Sequence, residues 1–89
     1  MISKQVTIKE LSILLENFEA RELMIFTFKE SREKKGFLLH CYINDMNYVL
    51  FGAAHKPKEK VFRKIATGIE FLKKYNINKF AVILEKTTS

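Results

Sequence analysis

One cysteine and two histidines leave this 89-residue chain almost without the side chains that hold soft metals or act as nucleophiles. A lone Cys41 excludes an internal disulfide, offers no paired thiolate ligands and fits a reducing compartment. His40 and Cys41 are neighbours in a stretch that predicts a strand, so their side chains point to opposite faces and cannot act as a pair. The acidic residues show no spacing that would join carboxylates at a metal site. Three glycines form neither G-x-x-x-x-G-K nor G-x-G-x-x-G, so no phosphate-cradling loop is present. No apolar run approaches the ~20 residues of a membrane span, and the first residues lack a signal-peptide pattern. These absences predict a cytoplasmic protein that is not an enzyme, with no cofactor, no metal and no membrane partner.

What is present is the make-up of a folded domain. Hydrophobic residues are 47% of the chain and charged ones 29%, richer in aliphatics and aromatics than disordered sequence. The length allows one modest core, hence a single domain. Net charge is +6, unevenly spread. Residues 1–33 carry five basic and six acidic side chains, whereas residues 34–89 carry eleven and four, a net +7. Such asymmetry predicts one basic surface and an anionic partner, a nucleic acid or an acidic protein surface.

Thr7 and Glu10 have capping-box spacing, and Ile8, Leu11, Leu14, Leu15 and Phe18 follow at helical intervals, predicting a helix over 8–20. Residues 23–30 (LMIFTFKE) predict a strand, and residues 31–36 (SREKKG) a hairpin loop in which Gly36 supplies a positive φ. A second strand over 37–43 has an apolar face of Phe37, Leu39, Cys41 and Ile43; Cys41 there is an inert core thiol. A turn over 44–47 leads to a third strand over 48–54, where Gly52 suggests a bulge or close approach. Val61, Phe62, Ile65, Ile69 and Leu72 predict one long helix over 58–75, with Phe71 on the opposite side of the wheel and Gly68 packed closely on the sheet. Asn76 and Asn78 mark its exit. Residues 80–85 (FAVILE) predict a buried fourth strand, and residues 1–6 and 87–89 frayed ends. The fold expected is α+β in the order α-β-β-β-α-β, a four-stranded mixed sheet with both helices on one face. The crossover makes the last strand parallel to its neighbour, whether it joins at the third strand or the first.

The stretch around which the rest is organised is 56–77. Pro57 suits a first helical position, and Lys56, Lys58 and Lys60 crowd the predicted helix N-terminus, where orphan N–H groups and the dipole also favour an anion. Arg63, Lys64 and His55 flank this turn, and Arg32, Lys34 and Lys35 of the first hairpin loop form an outlying basic group. Tyr42 and Tyr48, with His40, are the aromatics best suited to an exposed sheet face, where bases stack beside cations.

The helix-strand-strand-strand-helix order over roughly residues 7–75 resembles the double-stranded-RNA-binding domain at the level of topology. The resemblance implies that lysines at the start of the second helix, here Lys56, Lys58, Lys60, Arg63 and Lys64, lie across duplex phosphates. The family's Gly- and Ser-containing run before its double lysine is replaced by GAAHKPKEK, its Pro-x-His loop by SREKKG, and the fourth strand is extra, so the likeness is one of architecture.

Two functions fit. The first is a small basic nucleic-acid-binding protein that contacts phosphates through the lysine-rich turn. The second is a non-catalytic interaction module or inhibitor, such as a phage, plasmid or archaeal-virus accessory or anti-defence protein, able to form a homodimer through a sheet edge.

Overall fold

The computed structural model describes residues 2–52 and 58–85. Its class is mixed α+β, but among the described residues there are six strands and three helices in place of the expected four and two. Residues 2–6, within the stretch 1–6 expected to be frayed, belong with Thr7 to a strand, β1 (Ile2–Thr7), parallel to a later strand. Thr7 both ends β1 and caps α1 (Ile8–Glu16). The Thr7 N–H donates to the Glu10 carboxylate at 2.9 Å, and the Glu10 N–H donates to Thr7 Oγ1 at 3.2 Å. This reciprocal pair is the predicted capping box, and its donors hold the Glu10 carboxyl below its usual range.

The predicted helix over 8–20 is broken at Asn17. That residue closes α1 through its N–H to the Leu14 carbonyl at 3.2 Å, and its Oδ1 accepts from Ala20 N–H at 3.1 Å to open α2 (Phe18–Leu23). Asparagine favours such a cap over a helix interior because its short amide competes with the backbone for hydrogen bonds.

Three antiparallel strands follow: β2 (Ile25–Ser31), β3 (Gly36–Ile43) and β4 (Met46–Phe51). The β3–β4 turn is Asn44-Asp45 alone, with Asn44 at φ 53°, so Met46 and Asn47 belong to the strand. In the β2–β3 turn the positive φ falls on Lys35 (55°) and not on Gly36. Gly36 is required for a different reason: a Cβ there would lie 2.5 Å from Val61 Cγ1 and 2.8 Å from the Phe62 carbonyl oxygen. No such crowding occurs at Gly52, where the expected bulge is a plain bend at the end of β4.

The single long helix over 58–75 is not observed. Residues 58–62 are extended: Glu59 bridges Phe51, and β5 (Val61–Phe62) pairs with Phe37 and Leu38 of β3. The helix α3 covers only Ile65–Lys73. The apolar residues at 61, 62 and 65 suit either period, and the free edge of β3 at Phe37 and Leu38 decides for the strand, in which Phe62 is buried. Phe71, expected on the outer side, packs against Phe62 (centroids 5.9 Å apart) and Tyr75 (5.5 Å). The helix ends as predicted at Asn76, at φ 60°, where Ile77 N–H donates to the Leu72 carbonyl and Asn76 N–H to that of Lys73.

The last strand, β6 (Ala81–Ile83), is parallel to β2, as the crossover requires, but none of its residues is buried. Strand order is β1-β4-β3-β2-β6, with β5 on the stretch of β3 that β4 leaves free. All three helices belong to one side. Val6, Phe26, Phe28, Leu39, Cys41, Leu50 and Phe62 face Leu11, Leu15, Leu72 and Ile77 in one core. Burial without a partner pushes the Cys41 thiol up to about 12, so it is inert. Tyr75 joins the helices, donating its hydroxyl to Ser12 Oγ at 2.6 Å while its carbonyl accepts from Arg21 at 3.2 Å. Among the described residues, no helix is long and apolar enough to cross a membrane.

Gly68 allows α3 to rest directly on the sheet. A Cβ there would lie 2.5 Å from Cε1 of Phe28, which is fully buried and cannot yield. Helix propensity alone favours Gly68→Ala by about 1 kcal/mol, whereas overpacking costs about 1–3 kcal/mol. Urea unfolding is therefore expected to show Gly68→Ala as destabilised, with partial recovery on adding Phe28→Leu; a stabilised single variant would mean that α3 stands off the sheet.

Candidate nucleic-acid interface

With the described helices on one side, no described helix covers the other side of the sheet, here called the open face. Alternation sends Ile25, Thr27 and Lys29 of β2, Leu38, His40 and Tyr42 of β3, and Asn47, Val49 and Phe51 of β4 to this face. The His40 and Tyr42 rings are stacked, centroids 6.0 Å apart and 15° from parallel. Lys29 Nζ lies 5.3 Å from the Tyr42 centroid, within cation–π range. Below them Asn47 is buried, its Oδ1 and Nδ2 at 3.2 and 3.1 Å from His40 Nδ1, with Nδ2 also donating to Ser3 Oγ at 3.4 Å. The amide can donate to a neutral imidazole or accept from a protonated one, so it holds the ring in either charge state.

Tyr48 does not share this face. It lies opposite Cys41 and Lys4 and packs against the core on the helix side. The sequence reading missed Lys29, which sits on the neighbouring strand four residues beyond Ile25, the register partner of Tyr42, and Asn47, assigned to the turn. Both are placed by strand parity, once the two-residue length of the β3–β4 turn is known.

Five described basic residues meet at one end of the sheet, and of the lysines expected at the helix N-terminus only Lys64 is there. The close approach at Gly36 brings the β2–β3 turn, with Arg32, Lys34 and Lys35 exposed, against the β5–α3 junction, with Arg63 and Lys64 exposed. Lys64 is the N-cap of α3, and no side chain caps that end. Lys58 and Lys60 lie in the extended arm that leads into β5, on either side of Glu59. The Lys58 carbonyl accepts from Gly52 N–H at 2.8 Å, and Lys60 N–H donates to the Leu50 carbonyl at 2.9 Å. Lys60 Nζ lies over the Phe62 ring at 5.7 Å. His55 and Lys56 fall outside the described residues. Acids are interleaved: Glu59 is 4.0 Å from Lys34, Glu85 accepts the Arg32 N–H, and Glu30 accepts the Glu85 N–H. The end therefore interleaves cations with acids and does not present a uniform positive field.

The duplex-RNA-domain resemblance fails on this architecture, because β1 precedes the first helix and Lys58 and Lys60 lie in extended chain ahead of β5, leaving only Arg63 and Lys64 at the start of α3. No family model matches the chain, and neither a curated protein nor a solved structure matches it.

Desolvation and, next, the nearby Lys29 ammonium hold His40 below its ordinary value of 6.5, against smaller opposing effects of Asn47 and Glu59. A depressed folded pKa means that the unfolded chain binds the proton more readily. Stability from this group is therefore fully present above about pH 6.5 and is lost as pH falls through that value toward the folded pKa. Melting temperature should drop on acidification from pH 7.5 to 5, and the drop should be smaller in His40→Gln. An identical pH profile in the two proteins would show that His40 titrates as a free imidazole.

Proposed function

We propose that the protein binds nucleic acid, gripping phosphates at the basic end of the sheet and stacking an unpaired base on the open face. The observation that carries this reading is the approach of the β2–β3 turn to the β5–α3 junction, which groups Arg32, Lys34, Lys35, Arg63 and Lys64 at one edge of that face. Isolated cations suit phosphate contacts, which give affinity with little sequence preference. The Tyr42–His40 stack beside Lys29 adds what a single strand needs and a duplex cannot use, an aromatic platform next to a cation. The role is one of binding, without chemistry at the site.

Fluorescence anisotropy with labelled single-stranded and duplex oligonucleotides tests it. Affinity for the single strand should fall with salt by about 0.7 log units per decade for each phosphate contact. Reversing Arg63 and Lys64 to Glu should weaken binding at least about tenfold at low salt while the melting temperature holds, since acids suit the positive end of the α3 dipole that these residues adjoin. Reversing Lys73 and Lys74, exposed at the other end of α3, makes the same change in net charge and should leave most of the affinity. Tyr42→Ala should weaken single-strand binding by about 1–3 kcal/mol and leave duplex binding unchanged. Equal losses in the two reversals, or a flat salt response, would sink the reading.

A further inference from the structure

The two edges of the sheet are built differently. On the outer strand β1 the sequence is ISKQVT, whose Ser3, Lys4 and Gln5 are all exposed. Polar and charged residues of that kind keep an edge from pairing with another chain. At the opposite edge, β6 and its flanks read FAVIL over 80–84, with no charge and no proline. Val82, Ile83 and Leu84 are 43%, 51% and 64% exposed, and β6 pairs only with β2 among the described strands. An edge strand presents unpaired N–H and C=O groups, which are best satisfied by another strand.

We propose that β6 pairs antiparallel with β6 of a second copy, about a two-fold axis passing through Val82. The sequence KFAVILE over 79–85 is self-complementary in this register and no other. Val82 meets the partner's Val82, Ala81 meets the partner's Ile83, and Phe80 meets the partner's Leu84. Lys79 then lies opposite the partner's Glu85 at both ends of the ladder, by symmetry. Parallel pairing in register would place lysine on lysine. Any shift of the antiparallel register takes Glu85 off Lys79, and within 79–85 Glu85 then meets only an apolar residue or another Glu85. The Glu85 carboxylate already accepts the Arg32 N–H, which uses one of its several lone pairs and leaves others for an incoming ammonium. The axis is perpendicular to the sheet, so the helix faces of both copies lie on one side and their open faces on the other. A single short ladder buries less than the ~1,200 Å² of stable complexes, so the dimer dissociates on dilution. This inference is independent of the nucleic-acid reading.

Sedimentation velocity over a concentration series tests it, with melting temperature as a check on folding. The wild type should rise from the 10.5 kDa monomer toward twice that mass. K79E chains carry acids at both ends of the ladder and E85K chains carry bases at both, so each alone should associate about tenfold more weakly. An equimolar mixture of the two restores every opposite pair and should form heterodimers as readily as the wild type dimerises. A wild type monomeric at all concentrations, single variants that associate undiminished, or a mixture no better than its components would overturn the proposal. If E85K does not fold, K79E/E85Q takes its place. It removes the acid–acid contacts, keeps an acceptor for Arg32, and must associate more tightly than K79E.

Discussion

The Phe28 ring is the fixed point of this molecule. It is fully buried, meets Phe62 edge-on at 6.0 Å and Phe80 edge-on at 5.6 Å, and lies under the missing side chain of Gly68. Four segments thus converge on one side chain: β2 carries it, β5 and the approach to β6 flank it, and α3 rests on it. Edge-to-face aromatic pairs add about 0.5–1.5 kcal/mol each beyond their buried area, and they are directional. That direction matters, because β5 has two residues and β6 three, too few for the backbone ladder alone to fix their places. The packing around Phe28 fixes them.

The basic end of the sheet follows from the same packing. Seating Phe62 beside Phe28 draws the β5–α3 junction over Gly36, and the turn cations and junction cations then share one end. Between them the acids Glu30, Glu59 and Glu85 are tied to Lys34, to backbone N–H groups or to both sides of the β2–β6 pair. They relieve repulsion among the lysines and arginines at modest cost to the field, since exposed pairs contribute less than about 1 kcal/mol each.

Much of the fold was legible where a single local rule governs. Thr7 and Glu10 announce a capping box, the alternation over 37–43 announces a strand with an apolar face, and the crossover dictates a parallel last strand. What could not be read depends on contacts distant in sequence. In ISKQVT only Val6 is buried, so nothing local marks β1 as a strand; its partner β4 does. Phe62 belongs to a strand because β3 offers a free edge at Phe37 and Leu38, which residues 61–65 cannot reveal. The grouping of Arg32, Lys34 and Lys35 with Arg63 and Lys64 rests on the contact at Gly36, whereas Tyr42 and Tyr48 could be assigned to opposite faces from parity and turn length.

The β2–β3–β4 meander has its own implication for the order of folding. Its hairpins close over short turns, whereas Ile2 must find Met46 across 44 positions and Thr27 must find Ala81 across 54. Loop-closure entropy favours the local contacts first, so the meander is the natural nucleus and the two outer strands dock onto a surface already made. The same sequence in reverse makes β1 and β6 the least protected elements under native conditions. The β1 flank can open and close without touching the rings around Phe28, whereas opening the β6 flank draws Phe80 away from them.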